Sequence, residues 1–210
     1  MRHLIVFCHP SKNSYCASLL LTARTALEQA GHEVRVIDLY EIGFNPVLSQ
    51  DEWTSYIPDT QANIAGVQSH VDAMQWAESL VLVYPTWMYG PPAMLKGWLE
   101  RVWLPGIAFD IAPAKGKRAR GLLDIIRQFT VITPSGSPWW WLRVIRDPGR
   151  SMLARGYRVL FHPLCKVRWL QLHNMNNTTL RDRERFLARV ERVFSRKAPA
   201  SIPAVSSMEN

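Results

Sequence analysis

Short, strongly apolar runs recur along the chain, and segments with helical periodicity separate them. Residues 3–8 (HLIVFC), 79–84 (SLVLVY) and 129–133 (FTVIT) are the length of strands and carry almost no charge, as expected of strands buried on both faces. Residues 33–39 (EVRVIDL) alternate polar and apolar positions, which predicts a further strand. Because strands that alternate with helices form parallel sheets covered on both faces, the pattern predicts an α/β fold.

Helical segments fill the intervals between these strands. Ser14 is predicted to cap the first helix, and Gly31 is predicted to end it. Further helices are predicted over residues 63–77, 93–104, 140–155 and 180–196, whereas residues 158–164 and 168–172 are predicted to form a fifth strand with an extension. Five strands favour the flavodoxin-like parallel sheet, with strand order 2-1-3-4-5, over the six-stranded dinucleotide-binding fold.

The length of 210 residues suits one domain, predicted over residues 1–197, with a disordered tail at residues 198–210. A basic loop is expected at residues 110–121. The three cysteines form no CxxC pair, which is typical of proteins from a reducing compartment. The apolar runs are too short for a signal peptide or a membrane-spanning helix. A soluble, cytoplasmic protein is therefore predicted.

Positive charge is concentrated in the second half of the chain. The net charge is +8, yet residues 1–114 hold 6 basic and 11 acidic residues, a balance of 6 − 11 = −5. Residues 115–197 hold 19 basic and 5 acidic residues, a balance of 19 − 5 = +14. This asymmetry predicts either an anionic partner, such as a phosphorylated cofactor, a nucleic acid or an acidic membrane surface, or a solvated basic helix face.

Three loops are predicted to meet where the parallel strands end, which is where open α/β sheets bind ligands. Residues 9–14 (HPSKNS) offer an imidazole, hydroxyls and Lys12 before a helix N-terminus, a natural seat for phosphate. Residues 85–92 (PTWMYGPP) hold bulky side chains between prolines and suit a planar heterocycle, although packing in the core is the alternative. Residues 133–137 (TPSGS) add hydroxyls. Neither GxGxxG nor GxxxxGK[ST] occurs in the chain.

Two other features of the sequence leave alternatives open. An apolar stripe at residues 93–104 is wider than one core contact needs, which indicates either a homodimer interface or an extended core contact; its residues are Met94, Leu95, Trp98, Leu99, Val102 and Trp103. Cys8, His9 and Cys16 lack any recognised metal-ligand spacing, so no metal site is predicted. His9 is interpreted as an anion contact, and no residue is predicted to be catalytic.

Several short motifs are spaced along most of the chain. They are His9-Pro10 with Ser14-Tyr15, Asp38-Leu39-Tyr40, Phe44-Asn45-Pro46, Gly90-Pro91-Pro92-Ala93 and Leu95-Lys96-Gly97-Trp98. Together they resemble the motifs of the NAD(P)H:quinone oxidoreductases, which have the flavodoxin-like fold. The resemblance covers roughly residues 2–195, and its most specific part is residues 79–110.

The resemblance implies a homodimeric flavoprotein that holds FAD, with FMN as the alternative. It also implies a ping-pong reaction, in which NAD(P)H gives a hydride to the flavin and leaves, and a quinone-like acceptor then takes the hydride. The residues that it assigns to cofactor binding lie in the three loops: His9, Ser14, Tyr15, Cys16, Pro85, Thr86, Trp87, Met88, Tyr89, Thr133, Pro134, Ser135 and Gly136.

The chain departs from its relatives behind the third loop. Animal members have a Tyr and a His there, and this chain has Trp141 and Asp147, so Arg143 or Arg146 is the predicted partner for charge on the reduced flavin. Azo or nitro compounds are alternative acceptors. A regulatory subunit docked peripherally on a potassium-efflux transporter is the alternative from another class. Specific nucleic-acid binding is not predicted, because no recognised module is present.

Overall fold

A five-stranded parallel sheet forms the centre of the protein. The computed structural model describes residues 1–111 and 119–196. Its strands are β1 (Arg2–Phe7), β2 (Glu33–Asp38), β3 (Ser79–Val83), β4 (Phe109–Asp110), β5 (Arg120–Gly121), β6 (Gln128–Pro134) and β7 (Lys166–Leu172). The sheet order is β2-β1-β3-β6-β7, and β4 pairs separately with β5. The predicted flavodoxin-like order 2-1-3-4-5 is confirmed. The predicted tail and most of the predicted basic loop lie outside the described residues.

Helices connect the strands and cover both faces of the sheet. They are α1 (Tyr15–Gln29), α2 (Gln50–Ser55), α3 (Thr60–Ala65), α4 (Gln68–Trp76), α5 (Ala93–Val102), α6 (Trp139–Val144), α7 (Pro148–Ser151) and α8 (Leu180–Phe194). As predicted, Ser14 caps α1, and Gly31, with a φ of +80°, follows its last turn. Within the described ranges, no helix combines the length and the apolar character that crossing a bilayer requires.

The strands divide their side chains between two apolar cores, one on each face of the sheet. In β1, Leu4 and Val6 enter the core beneath α4 and α5, whereas Ile5 and Phe7 enter the core beneath α1 and α8. All four side chains are at most 1% exposed, which explains why β1 reads as a continuous apolar run. Burial on both faces is the physical reason that these short segments form strands.

The apolar stripe on α5 belongs to the core of this chain. Every residue of the stripe except Met94 is buried, and Trp98 is fully enclosed. The indole Nε1 of Trp98 donates a hydrogen bond to His70 Nδ1 over 3.3 Å. The interpretation of this stripe as a dimer interface is therefore wrong, because the core around α4 already covers it. The predicted homodimer has to rest on other surfaces.

Three predicted elements differ from the structure. The helix predicted over residues 63–77 is two helices, α3 and α4, with Gly66 and Val67 between them. The helix predicted over residues 140–155 breaks where Arg146 and Asp147 adopt positive φ values of 61° and 39°. There Asp147 caps α7, accepting a hydrogen bond from the backbone N–H of Arg150 over 3.2 Å. Residues 158–164 form no strand, because residues 157–160 make a 3-10 turn instead.

Candidate functional site

The carboxyl ends of β1, β3 and β6 bring the three predicted loops together. The backbone N–H of Cys8 donates to the Val83 carbonyl over 3.0 Å, which joins the first loop to the second. Beyond β3, the N–H of Thr86 donates to the Pro134 carbonyl over 2.9 Å, and Thr86 forms a parallel bridge with Ser135. β1 and β3 are neighbours on either side of the strand-order reversal, where α/β sheets bind ligands.

The first loop ends at a capped helix N-terminus. The Ser14 hydroxyl accepts a hydrogen bond from the Ala17 N–H over 3.2 Å, while helix geometry leaves the amides of Tyr15 and Cys16 without intrahelical acceptors. His9 Nδ1 accepts from the Ser11 N–H over 3.0 Å, which fixes the imidazole beside the loop. Unpaired amides and the positive end of a fifteen-residue helix favour an anion here.

Two residues predicted to contact the cofactor, Tyr15 and Cys16, have side chains that make other contacts. The Tyr15 hydroxyl donates to the Arg183 carbonyl over 2.9 Å and so joins α1 to α8. The Cys16 side chain is 2% exposed in the core, and burial raises the pKa of its thiol to about 12. The backbone amide of Cys16 at the start of α1 is therefore the group that could contact a cofactor, and the assignment of Cys16 to cofactor binding stays a prediction.

The second loop folds back on itself as a tight turn. Trp87 and Gly90 exchange two backbone hydrogen bonds of 3.0 and 2.9 Å, and the residues between them, Met88 and Tyr89, have φ values of 45° and 65°. Two consecutive positive φ values are unusual for residues other than glycine and carry a cost in conformational energy. The turn leaves the side chains of Trp87, Met88 and Tyr89 45%, 93% and 37% exposed, so these residues are not core.

The segment after β6 holds this turn in place. The indole Nε1 of Trp141, on α6, donates to the Tyr89 hydroxyl over 3.2 Å. The backbone N–H of Gly149, on α7, donates to the Tyr89 carbonyl over 2.9 Å. On the other side, the rings of Trp87 and His9 lie 6.3 Å apart between centroids. The turn at residues 87–90, called the aromatic turn below, is thus fixed between the first loop and α7.

A pair of threonine hydroxyls joins the second loop to the third. The hydroxyl oxygens of Thr86 and Thr133 lie 2.8 Å apart, and Thr133 is fully buried. Ser135 is buried as well and its hydroxyl donates to the Ser137 carbonyl over 3.2 Å, whereas Gly136 is exposed. Pro85 and Pro134 are buried at the ends of their strands, where they shape the backbone.

The contact between Gly149 and the aromatic turn was not predicted from the sequence. A Cβ on Gly149 would lie 2.8 Å from the Tyr89 carbonyl oxygen and 3.1 Å from the Gly90 Cα. Only glycine lets α7 approach the aromatic turn so closely. The Pro148-Gly149 pair was visible in the sequence, but nothing in its local pattern indicated which distant loop it meets.

These parts of the structure suit a flavin nucleotide. The partly exposed rings of Trp87 and Tyr89 offer flat apolar surface for a planar ring system. The free amides at the start of α1 suit a phosphate, and exposed Gly136 allows close approach to a polar ring edge. The Arg143 and Arg146 side chains, predicted as partners for the reduced ring, line a separate cleft beside α6.

Among doubly wound parallel sheets, the strand order 2-1-3-4-5 is the flavodoxin-like one. The family model described as Flavodoxin-like fold matches residues 1–195, and the chain belongs to that family.

Curated relatives match part of the chain. An uncharacterized NAD(P)H oxidoreductase of Haemophilus influenzae is 37% identical over 114 residues, covering 52% of this chain and 54% of the relative. NAD(P)H dehydrogenase [quinone] 1 of Cavia porcellus is 30% identical over 139 residues, covering 56% of this chain and 50% of the relative. The chain therefore spans about half the length of these curated relatives.

Solved structures match almost the whole chain. An NAD(P)H:quinone oxidoreductase from Methanothermobacter marburgensis has a TM-score of 0.78 at 28% identity, covering 93% of this chain and 98% of its own. A protein from Streptococcus mutans has a TM-score of 0.81 at 26% identity, covering 93% and 99%. An FMN-dependent NADH-azoreductase from Bacillus anthracis, at 16% identity and a TM-score of 0.74, shares the fold.

Proposed function

We propose that the protein is a flavin-dependent NAD(P)H oxidoreductase that reduces quinones or similar electrophiles. The observation that carries this proposal is the aromatic turn at Trp87–Gly90, which lies next to His9 of the first loop at the point where strand order reverses. The names of the relatives from Cavia porcellus and Methanothermobacter marburgensis support the same reaction class. Azo and nitro compounds are alternative acceptors for the same slot.

Each of the three loops has a separate role in this proposal. The Tyr15 and Cys16 amides, with Ser14 and His9, hold the phosphate end of the flavin. Trp87, Met88 and Tyr89 form one wall of the slot and exclude water from it, and the third loop meets the polar edge of the ring. The flavin supplies hydride transfer, and the protein supplies orientation and a dry apolar surface.

The finer features of the proposal follow from the resemblance of the motifs. FAD is the expected flavin and FMN the alternative, because the amides at the start of α1 suit either a pyrophosphate or a phosphate. NADPH or NADH serves as donor. The proposal also includes a single flavin-binding domain over residues 1–197 and a cytoplasmic location. It further includes a homodimer, and analytical ultracentrifugation measures the oligomeric state.

The reaction is tested by steady-state kinetics. We expect protein reconstituted with FAD or FMN to oxidise NADH or NADPH with a small soluble quinone as acceptor. Because donor and acceptor would use the same slot in turn, double-reciprocal plots at several quinone concentrations should be parallel. No flavin-dependent rate with quinone, azo or nitro acceptors would refute the proposed function.

The wall assigned to Trp87 is tested by a matched pair of variants. We expect Trp87→Ala to weaken flavin binding about tenfold, since an aromatic wall of this kind is worth about 1.4 kcal/mol in stacking and buried area. Trp53→Ala is the control, because Trp53 is 70% exposed on α2. Fluorescence titration with FAD and FMN measures both affinities. Equal affinities for Trp87→Ala and Trp53→Ala would mean that the turn is not the flavin wall.

A further inference from the structure

A second cleft lies beside α6 and α7 and has a volume of about 720 Å³. Among the residues related above to the flavin, only Arg143 and Arg146, the predicted partners of the reduced ring, line it, and no residue of the three loops does. Its walls come from α6, α7, the π-helical turn at Met152–Gly156 and the carboxyl end of β7. The volume falls in the range of small-molecule sites, about 300–1,000 Å³.

The walls of this cleft are strongly cationic. Arg143, Arg146, Arg150 and Arg155 all line it, and Asp147 is the acidic residue among its lining residues. Across residues 1–111 and 119–196, none of the four guanidinium groups forms an ion pair with a carboxylate. One Asp147 oxygen already accepts a hydrogen bond from the Arg150 backbone as the cap of α7. All four arginines are exposed, and a cluster of like charges on the wall of a cleft attracts an anion.

Two polar side chains on β7 and just after it, the buried Gln171 and the half-buried His173, also border the cleft. Gln171 is 8% exposed, and its Nε2 has no hydrogen-bond acceptor in the described part of the chain. Its Oε1 accepts from the Trp169 indole over 2.6 Å, which orients the amide and leaves the NH₂ group as the free end. The Nδ1 of His173 is likewise buried without a described partner. Buried polar atoms are normally paired, so the Gln171 NH₂ group and the His173 Nδ1 atom are available to water or to a ligand in the cleft.

A flat apolar surface stands next to these cations. The Trp139 ring lines the same cleft and is 61% exposed. Guanidinium groups bind phosphate oxygens bidentately, and an exposed indole stacks on a planar base. A nucleotide combines both groups in one molecule, whereas a simple anion would leave the Trp139 surface unused.

We propose that this cleft binds the phosphate ester of a nucleotide, with the arginines and the Gln171 amide on the phosphate and Trp139 on the base. Four of the basic residues in the +14 balance of residues 115–197 would then bind a phosphorylated cofactor, which is one of the anionic partners predicted from the sequence.

The position of the cleft connects it with the flavin slot. The helix that carries Trp139 and Arg143 also carries Trp141, which donates to the Tyr89 hydroxyl on the aromatic turn. Gly149, between Asp147 and Arg150, donates to the Tyr89 carbonyl. This step rests on the proposed function: the nucleotide in the cleft is the hydride donor. Because the arginines bind its 2′-phosphate, the enzyme prefers NADPH to NADH.

The site is tested by calorimetric titration of the full chain, saturated with FAD, with 2′,5′-ADP. We expect binding by the wild type, and at least tenfold weaker binding by Arg143→Gln and Arg150→Gln. Gln171→Glu keeps the acceptor oxygen for Trp169 and replaces the free NH₂ by an anionic oxygen, so it should abolish binding. Arg127→Gln is the control, since Arg127 is exposed just before β6, at the opposite end of the sheet. Melting temperatures check that each variant is folded.

The outcomes separate this inference from the proposed function. Absence of 2′,5′-ADP binding, or equal binding by folded Arg143→Gln, Arg150→Gln and Arg127→Gln proteins, would overturn the nucleotide site whatever the activity. Specific binding by a protein that lacks quinone reductase activity would support the site and contradict the proposed function. In an active enzyme, the donor assignment predicts a lower KM for NADPH than for NADH, and it predicts that Arg143→Gln removes this difference. Equal KM values for NADPH and NADH in the wild type would overturn the assignment.

Discussion

Replacing Gly97 by alanine should lower the melting temperature by several degrees, even though alanine is the better helix former. Gly97 lies inside α5, where propensity alone would favour alanine by about 1 kcal/mol. A Cβ there would lie 2.1 Å from the Pro46 carbonyl oxygen and 2.6 Å from the Pro46 Cα. Backbone must move to relieve both contacts, so we expect a net loss of about 2 kcal/mol, or about 4–8 °C for a domain of this size.

The control for Gly97→Ala is Gly66→Ala. Gly66 follows α3 with an ordinary φ of −73°, and a Cβ there would meet its nearest atom at 3.7 Å. This control should change the melting temperature little. A melting temperature for Gly97→Ala at or above that of the wild type would mean that α5 does not approach the Pro46 loop as closely as described. Thermal unfolding followed by circular dichroism measures both variants.

Gly149→Ala should weaken flavin binding by about tenfold or more without unfolding the protein. The new Cβ would lie 2.8 Å from the Tyr89 carbonyl oxygen, and the Gly149 N–H now donates to that same oxygen. Separating α7 from the turn loses this hydrogen bond and shifts Tyr89 away from Trp141. A displacement of the slot wall by a few tenths of an ångström is enough to reduce stacking on a rigid ring.

Gly156→Ala is the matched control for Gly149→Ala, since it lies seven residues further along the same segment. A Cβ on Gly156 would meet its nearest atom, the Ser151 carbonyl oxygen, at 3.9 Å, which is an ordinary contact. Flavin titration of the two variants, with melting temperatures alongside, separates a local effect from general destabilisation. If Gly149→Ala binds FAD and FMN as tightly as Gly156→Ala does, the turn does not depend on α7.

The central strands β1, β3 and β6 were predictable because they are buried on both faces. A run such as residues 80–83 (LVLV) has no polar position to present to solvent, so it suits the interior of a parallel sheet. Strand order and the convergence of the three loops follow from that arrangement and from short connections. The bulky side chains of Trp87, Met88 and Tyr89 were recognisable as a loop feature because they occur between prolines, where a strand has to end.

Short polar elements were harder to predict. The helix α2 buries no residue, so it has no apolar periodicity, although its capping box of Ser49 and Glu52 is a recognisable local signal. The break between α6 and α7 has a signal in Pro148, but positive φ values at Arg146 and Asp147 are uncommon for residues other than glycine, so the sequence did not indicate where the helix ends.

Contacts between distant glycines and backbone could not be predicted from one sequence. The motifs Phe44-Asn45-Pro46 and Leu95-Lys96-Gly97-Trp98 were recognised by resemblance, and the structure supplies their physical link, the approach of Gly97 to Pro46. The apolar stripe on α5 was equally ambiguous, because a buried face has the same composition whether its partner is α4 or a second subunit. The arginine cleft beside α6 was visible only as excess charge.

The flavin content of the purified protein tests the central claim most directly. The account predicts a yellow protein, or a colourless one that takes up one FAD or FMN per chain, with the visible absorption bands of an oxidised flavin. Chromatography of the heat-released cofactor then identifies which flavin it is. A well-folded protein that is colourless and binds neither FAD nor FMN would contradict the assignment of the aromatic turn and its neighbouring loops as a flavin slot.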